Sequence, residues 1–100
     1  MLSCINDIFT YTSNMNSADF LNNKLVQDAT IRNLEIIGEA AKSIPDSFRS
    51  QYPYIPWKKM SGMRDKLIHN YMGVDIWAVW VVVEDILPTL KLELEKTINP

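Results

Sequence analysis

Residues 23–43 read NKLVQDATIRNLEIIGEAAKS, and this stretch decides the fold. Apolar residues recur in it at every third or fourth position, which is the period of an amphipathic α-helix. The stripe predicted to face a core consists of Leu25, Ala29, Ile36 and Ala40, with Val26, Leu34 and Ile37 beside it. Pro45 ends the helix because proline lacks the amide hydrogen that another turn needs. The stretch therefore predicts one long helix packed against others.

The remainder of the chain has the same helical character. The predicted segments are residues 2–11, a short turn over 17–21 capped by Ser17, residues 23–43, a turn at 46–49, residues 57–72 and residues 76–97. Asp75 caps the last helix, whose first half is apolar on all sides and is predicted to be buried on most of them. Pro88 should kink that helix. With no strand alternation, the prediction is an all-α antiparallel bundle of about four helices in one domain, residues 1–100.

Composition narrows the class of protein. The net charge is −2, so a surface that is basic overall, as in many nucleic-acid-binding proteins, is excluded and any such contact must be local. The longest apolar run covers residues 76–83, far short of the ~20 residues of a membrane span. Cys4 is the only cysteine, which excludes a Cys/His metal cluster. With no secretory signal at the start of this sequence, the expected location is the cytoplasm.

The segment with chemical potential is RDKLIHNY, residues 64–71. At about 100° per residue, Arg64 and Tyr71 lie along one line of a helix, two turns apart. Asp65 and His69 form an i, i+4 pair on the neighbouring stripe. All four side chains therefore occupy less than half of the helix circumference, and the opposite side is left to face the core.

This arrangement suits cleavage of a phosphodiester bond. The Arg64 guanidinium matches phosphate oxygens and the charge that develops on phosphorus. The imidazole of His69 can move a proton near neutral pH, and the Asp65 carboxylate can orient it. Because RNA supplies its own nucleophile, the 2′-OH, neither a metal nor another cofactor is required.

A single histidine leaves this mechanism incomplete within one chain. Cleavage by the 2′-OH needs both a base and an acid, and His69 is the only histidine. A symmetric dimer supplies a second copy across its two-fold axis. The spacing Arg-x4-His is weak by itself and occurs in many helices, so spacing alone favours an exposed arginine and a histidine that is merely hydrogen-bonded on a helix surface.

The wider pattern resembles the HepT-like family of HEPN domains, whose mark is Arg-x4-His-x-Tyr, here Arg64, His69 and Tyr71. The other matching pieces are residues 33–40 (NLEIIGEA), 55–57 (IPW), 62–64 (GMR), 69–75 (HNYMGVD), Trp77 and 85–88 (DILP). The resemblance covers residues 5–94. It implies a bundle of four to five helices that forms a symmetric homodimer, with the paired motifs lining a cleft.

The resemblance also implies a function. Members of the family are metal-independent endoribonucleases, commonly the toxin of a toxin–antitoxin pair, with the motif arginine and histidine catalytic. The cognate antitoxin is a minimal nucleotidyltransferase that transfers AMP to the motif tyrosine, here Tyr71. An adenylyl group there would add negative charge beside Arg64. The family often has asparagine after the arginine, whereas this chain has Asp65, which raises the electrostatic cost of holding a phosphate.

Three further residues are candidates for contact with RNA. Lys58, Lys59 and Lys66 form, with Arg64, the only local basic cluster, and Trp57 lies at its edge. For the lysines a solvated helix face is an equal alternative, and for Trp57 a place in the core is favoured. An alternative function is a non-catalytic partner or substrate of a nucleotidyltransferase, and a third is a helical dimer that uses the Arg64–His69 face for protein contact only.

Overall fold

The computed structural model describes residues 1–62 and 75–98 of the chain. Its helices are α1 (Leu2–Tyr11), α2 (Ser17–Leu21), α3 (Lys24–Lys42), α4 (Asp46–Gln51), α5 (residues 57–62), α6 (Ile76–Val81) and α7 (Leu87–Ile98). A π-helical segment, Val82–Ile86, joins α6 to α7. The described residues contain no strand, so the predicted all-α class is confirmed.

One apolar core holds these helices together. The short helix α2 packs against both α3 and α6, and α1 packs against both α3 and α7. Phe20 of α2 is fully buried, and its ring centroid lies 5.1 Å from that of Trp80 in α6. The largest fully buried side chains are Phe20, Ile5, Ile8, Leu34, Ile37, Ile55, Leu87 and Thr30. The first half of the chain therefore shares its core with the last helices.

Side-chain caps fix where the helices begin. Asn23 accepts a hydrogen bond from the backbone N–H of Val26 at 3.0 Å and starts α3. Asp75 accepts from the N–H groups of Trp77 and Ala78, so the predicted cap of α6 is confirmed. The predicted Ser17 cap is wrong by one residue. Asn16 caps α2 through a reciprocal pair of hydrogen bonds with Asp19, which satisfies one more amide than a lone serine would.

The buried side of α3 differs from the predicted stripe. Its buried residues are Gln27, Thr30, Leu34, Ile37, Gly38 and Ala41. Leu34 and Ile37, predicted beside the stripe, are buried, but Leu25 is 80% exposed and Ile36 is 40% exposed, so the central line of the predicted stripe lies on the outer side. The polar Gln27 is accommodated inside because its side-chain nitrogen donates to the carbonyls of Phe20 and Leu21 at 2.9 and 3.1 Å. A helix that is apolar on two sides gives no pattern that distinguishes core from outside.

The last helices also differ from expectation. Burial on most sides was predicted for the apolar run that begins at Ile76, but Trp77 is 52% exposed and Val81 is exposed as well. Val79, Trp80 and Val83 are the buried members of this run. The π-helical segment ends two residues before Pro88, whose missing amide hydrogen and bulky ring disturb the α-turn that precedes it. The kink predicted at Pro88 stays a prediction, and the observed irregularity lies just before that residue.

Arg49 of α4 closes the C-terminal end of α3. Its Nη2 donates to the carbonyls of Ala41 and Lys42 at 2.7 and 3.2 Å, and its Nε donates to the carbonyl of Ile44 at 3.0 Å. The last carbonyls of a helix have no partner within the helix and carry partial negative charge. A guanidinium satisfies several of them at once, which fixes α4 against α3.

Replacing Arg49 with alanine is expected to lower the free energy of unfolding by about 2 kcal/mol, since hydrogen bonds to a charged group contribute about 1.5–3 kcal/mol. Arg49→Lys should recover only part of this because an ammonium lacks the guanidinium fork. Urea denaturation at fixed protein concentration measures both. Lys24→Ala, which removes an exposed ion pair with Asp28, is the control and should change the value by about 0.5 kcal/mol or less. Equal losses for Arg49→Ala and Lys24→Ala would contradict the assignment.

Candidate functional site

The proposed catalytic segment lies in a part of the chain that the structure does not describe. Residues 63–74 include Arg64, Asp65, Lys66, His69 and Tyr71, so the predictions for these five residues lie outside the described residues. Lys58 and Lys59 lie inside them. The described residues include the helices on either side of it, α5 before residue 63 and α6 after residue 74.

The start of α5 is anchored in the core. Trp57 is 7% exposed, and its indole N–H donates to the carbonyl of Tyr52 at 3.1 Å. Met60, one turn further along α5, is also buried, and its backbone N–H donates to the carbonyl of Pro56. Trp57 is thus a core residue, as favoured from sequence. Because the ring is buried it is not available to stack on a ligand, and its indole N–H is already paired with the backbone.

Lys58 and Lys59 are both exposed on α5. Trp57 and Met60 fix the buried side of the helix, so the two lysines lie on the sides that remain in contact with water. Neither lysine forms a described ion pair in residues 1–62 and 75–98. Two solvated ammonium groups therefore stand a short way before Arg64 in the chain, in a position that can attract a polyanion.

Aromatic side chains support the entry to α5. The rings of Phe48 and Tyr52 lie 4.9 Å apart, and Phe48 also contacts the Trp57 ring edge-on at 6.1 Å. Tyr54 contacts Tyr52 edge-on at 6.2 Å, and its hydroxyl lies 3.2 Å from the Thr97 hydroxyl of α7. Sequence reasoning assigned no role to Tyr52 and Tyr54. Their close spacing before Ile55-Pro56-Trp57 was a signal for such a cluster.

The helix after the segment, α6, is also anchored. The Asp75 carboxylate caps α6, and Trp80 stacks on Phe20 one turn beyond. Val79 beside it is buried. The helices on either side of residues 63–74 are therefore tied to the same core, since Trp57 and Trp80 both belong to it.

The described residues contain no group of three or more His, Cys, Asp and Glu side chains placed to hold a metal ion. Cys4 is a free thiol and is partly buried rather than fully buried. No helix within the described ranges is long and apolar enough to cross a membrane.

Comparison with known proteins identifies the family. The family model described as ribonuclease HepT-like matches residues 1–97, and the chain belongs to this family. This membership confirms the predicted class of enzyme, a ribonuclease.

Individual relatives agree. A proposed RNase of Methanocaldococcus jannaschii is 49% identical over 99 residues, which is 99% of this chain and 85% of the relative. A protein of Thermococcus cleftensis named as a proposed ribonuclease HepT is 54% identical over 78% of this chain and 71% of its own length. A longer M. jannaschii protein, named as a gamma-glutamylcyclotransferase and proposed RNase, is 47% identical over 96% of this chain and 43% of its own length. No solved structure matches the chain.

Proposed function

We propose that this protein is a metal-independent endoribonuclease toxin that acts in the cytoplasm as a homodimer and forms a single domain over residues 1–100. The observation that carries the proposal is the motif Arg64, His69 and Tyr71 in a chain that matches the HepT-like ribonuclease family over residues 1–97. Three relatives named as ribonucleases support the activity. The anchored flanks, α5 and α6, supply a rigid support for the motif.

In the proposed reaction, His69 of one copy removes the proton from the 2′-OH, and the 2′-oxygen attacks the adjacent phosphorus. His69 of the other copy gives a proton to the 5′-oxygen as its bond to phosphorus breaks. The products are a 2′,3′-cyclic phosphate and a 5′-OH. Arg64 neutralises the charge that builds on the phosphoryl oxygens, and Asp65 orients the imidazole. Lys58, Lys59 and Lys66 guide the RNA backbone.

The most direct test in cells compares the wild type with His69→Ala, each expressed without a nucleotidyltransferase. The wild type is expected to arrest growth and to leave fragmented RNA. The variant, made to the same level, should leave RNA intact. Fragmentation by both proteins, or by neither, would contradict the proposal.

Tyr71 is proposed as the acceptor of AMP from a cognate minimal nucleotidyltransferase, which switches the nuclease off. With such an enzyme and ATP, the wild type is expected to gain the mass of one or more AMP units and to lose cleavage activity. Tyr71→Phe should gain none and stay active, because it lacks the accepting oxygen. Intact mass measurement checks this, with Tyr54→Phe as the control that keeps Tyr71. AMP addition to Tyr71→Phe would contradict the assignment.

Measuring RNA cleavage beside intact mass on the same proteins separates the alternative function. A non-catalytic substrate of the nucleotidyltransferase would accept AMP at Tyr71 while the unmodified protein leaves RNA intact. The family membership favours the nuclease.

A further inference from the structure

The outer side of α3 is apolar although the core lies on its other side. Leu25, Ala29, Ile36 and Ala40 fall within about 60° of one another around the helix, in a stripe about 22 Å long. We name these four residues the outer α3 stripe. Leu25 and Ile36 are exposed, and the two alanines are half-buried. The described residues leave this apolar stripe open on the outside of the helix, which is the pattern of a contact with a second chain.

The sizes of the residues in the stripe indicate what covers it. Going along α3, the order is large, small, large, small. When a second α3 is laid antiparallel with its centre between Arg32 and Asn33, Leu25 faces Ala40 of the second copy. In that same register Ala29 faces Ile36 of the second copy. In both facing pairs a large side chain therefore meets a small one. A two-fold axis repeats each pair on its other side, so the two copies fit each other through the same residues.

Polar groups fit the same register. Arg32 lies opposite Asn33 of the second copy, next to the axis. The Asn33 side-chain nitrogen donates to the carbonyl of Ala29 at 2.9 Å, so its side-chain oxygen is the group offered across the contact, and it can accept from the Arg32 guanidinium. The charged edge of the stripe is balanced within each chain by Lys24 with Asp28 and Arg32 with Glu35.

The shape of the chain agrees with such a contact. The Cα extents are 41 × 29 × 17 Å, so the chain is thin in one direction. Two packed helices are about 10 Å apart, which makes 17 Å the thickness of about two layers. A thin chain of 100 residues buries a limited core of its own, and a second copy adds to it.

We propose that the outer α3 stripe is the contact between two copies of this chain, packed as antiparallel α3 helices about a two-fold axis between Arg32 and Asn33. The inference rests on the dimer of the proposed function and specifies where that dimer forms.

The test is sedimentation of the full chain over a range of concentrations. Ile36→Glu is expected to raise the dimer dissociation constant by about 100-fold or more, since the apolar contact would bury two unpaired carboxylates. Leu92→Glu is the matched control, because Leu92 is an exposed leucine of α7 away from the stripe, and it should leave the constant unchanged. A monomeric wild type, or an Ile36→Glu variant that dimerises like the wild type, would overturn the proposal.

A swap of sizes tests the register without adding charge. Ala29→Ile and Ile36→Ala should each weaken the dimer by about tenfold, one by crowding and the other by leaving a gap. The double variant exchanges large and small at facing positions and should return to within about threefold of the wild type. Additive losses in the double variant would overturn the register. RNA cleavage is measured on the same samples: a dimer that behaves as expected but cuts no RNA contradicts the nuclease and leaves this contact standing.

Discussion

Replacing His69 with alanine should lower the rate of RNA cleavage by about 10²–10⁴-fold, because a positioned acid or base contributes about that factor. His69 is the only histidine in the chain, so no other imidazole can take its place. In the proposed dimer the substitution removes the base and the acid together, which places the loss toward the upper end of the range. The measurement is the initial rate of cleavage of a fluorescent RNA oligonucleotide in the presence of a chelator.

Two controls make this result specific. Gln51→Ala, an exposed position at the end of α4, should cleave at the wild-type rate. Circular dichroism should show equal helix content in His69→Ala and wild type, which separates lost chemistry from lost fold. A rate for His69→Ala within a factor of about three of the wild type would remove His69 from the mechanism.

Replacing Phe20 with alanine is expected to have the largest effect on stability. Phe20 is fully buried and stacks on Trp80, so its removal deletes a large side chain from the centre of the core and breaks a ring contact. Such substitutions cost about 3–5 kcal/mol, a large part of the stability of a small domain. The midpoint of urea unfolding, measured at one protein concentration, should fall accordingly.

Phe48→Ala provides the matched control because it makes the same chemical change at an exposed position. Phe48 keeps ring contacts with Tyr52 and Trp57 but remains in contact with water. Its loss should cost about 1 kcal/mol. If Phe48→Ala destabilised the protein as much as Phe20→Ala, the core would not be centred where α2 meets α6.

Much of the fold followed from sequence because helix signals are local. The predicted ends of the long helix, Asn23 and Ser43, are the two cap residues of α3, and Asp75 caps α6 as expected. The buried side of α3 was predicted only in part, since Leu34 and Ile37 are buried but Leu25 and Ile36 are exposed. An apolar residue such as Leu25 is favourable in either a core or a contact between chains, and hydropathy does not distinguish the two. Asn16 caps α2 instead of Ser17 because Asp19 lies three residues after Asn16 and allows the reciprocal pair, whereas Phe20 lies three residues after Ser17.

For the candidate site, the sequence predicted the local features of the described flank but not its long-range contacts. The core position of Trp57 and the exposure of Lys58 and Lys59 agree with the helical period. The contact of the Tyr54 hydroxyl with that of Thr97 was not predicted, because it joins residues far apart in the chain. The contact of Tyr54 with Tyr52 is local, and the close spacing of the two tyrosines was its signal. The roles of Arg64, His69 and Tyr71 stay predictions that rest on the motif and the family.

The central claim is that the 2′-OH of RNA is the nucleophile and no metal takes part. The most direct measurement is the chemistry of the product ends, after antitoxin-free protein is incubated with an RNA oligonucleotide in a chelator. Fragments ending in a 2′,3′-cyclic phosphate and a 5′-OH are expected, and a substrate with 2′-deoxyribose at the cleaved position should stay intact. Fragments with a 5′-phosphate, or cleavage of the 2′-deoxy substrate at the same position, would contradict the account.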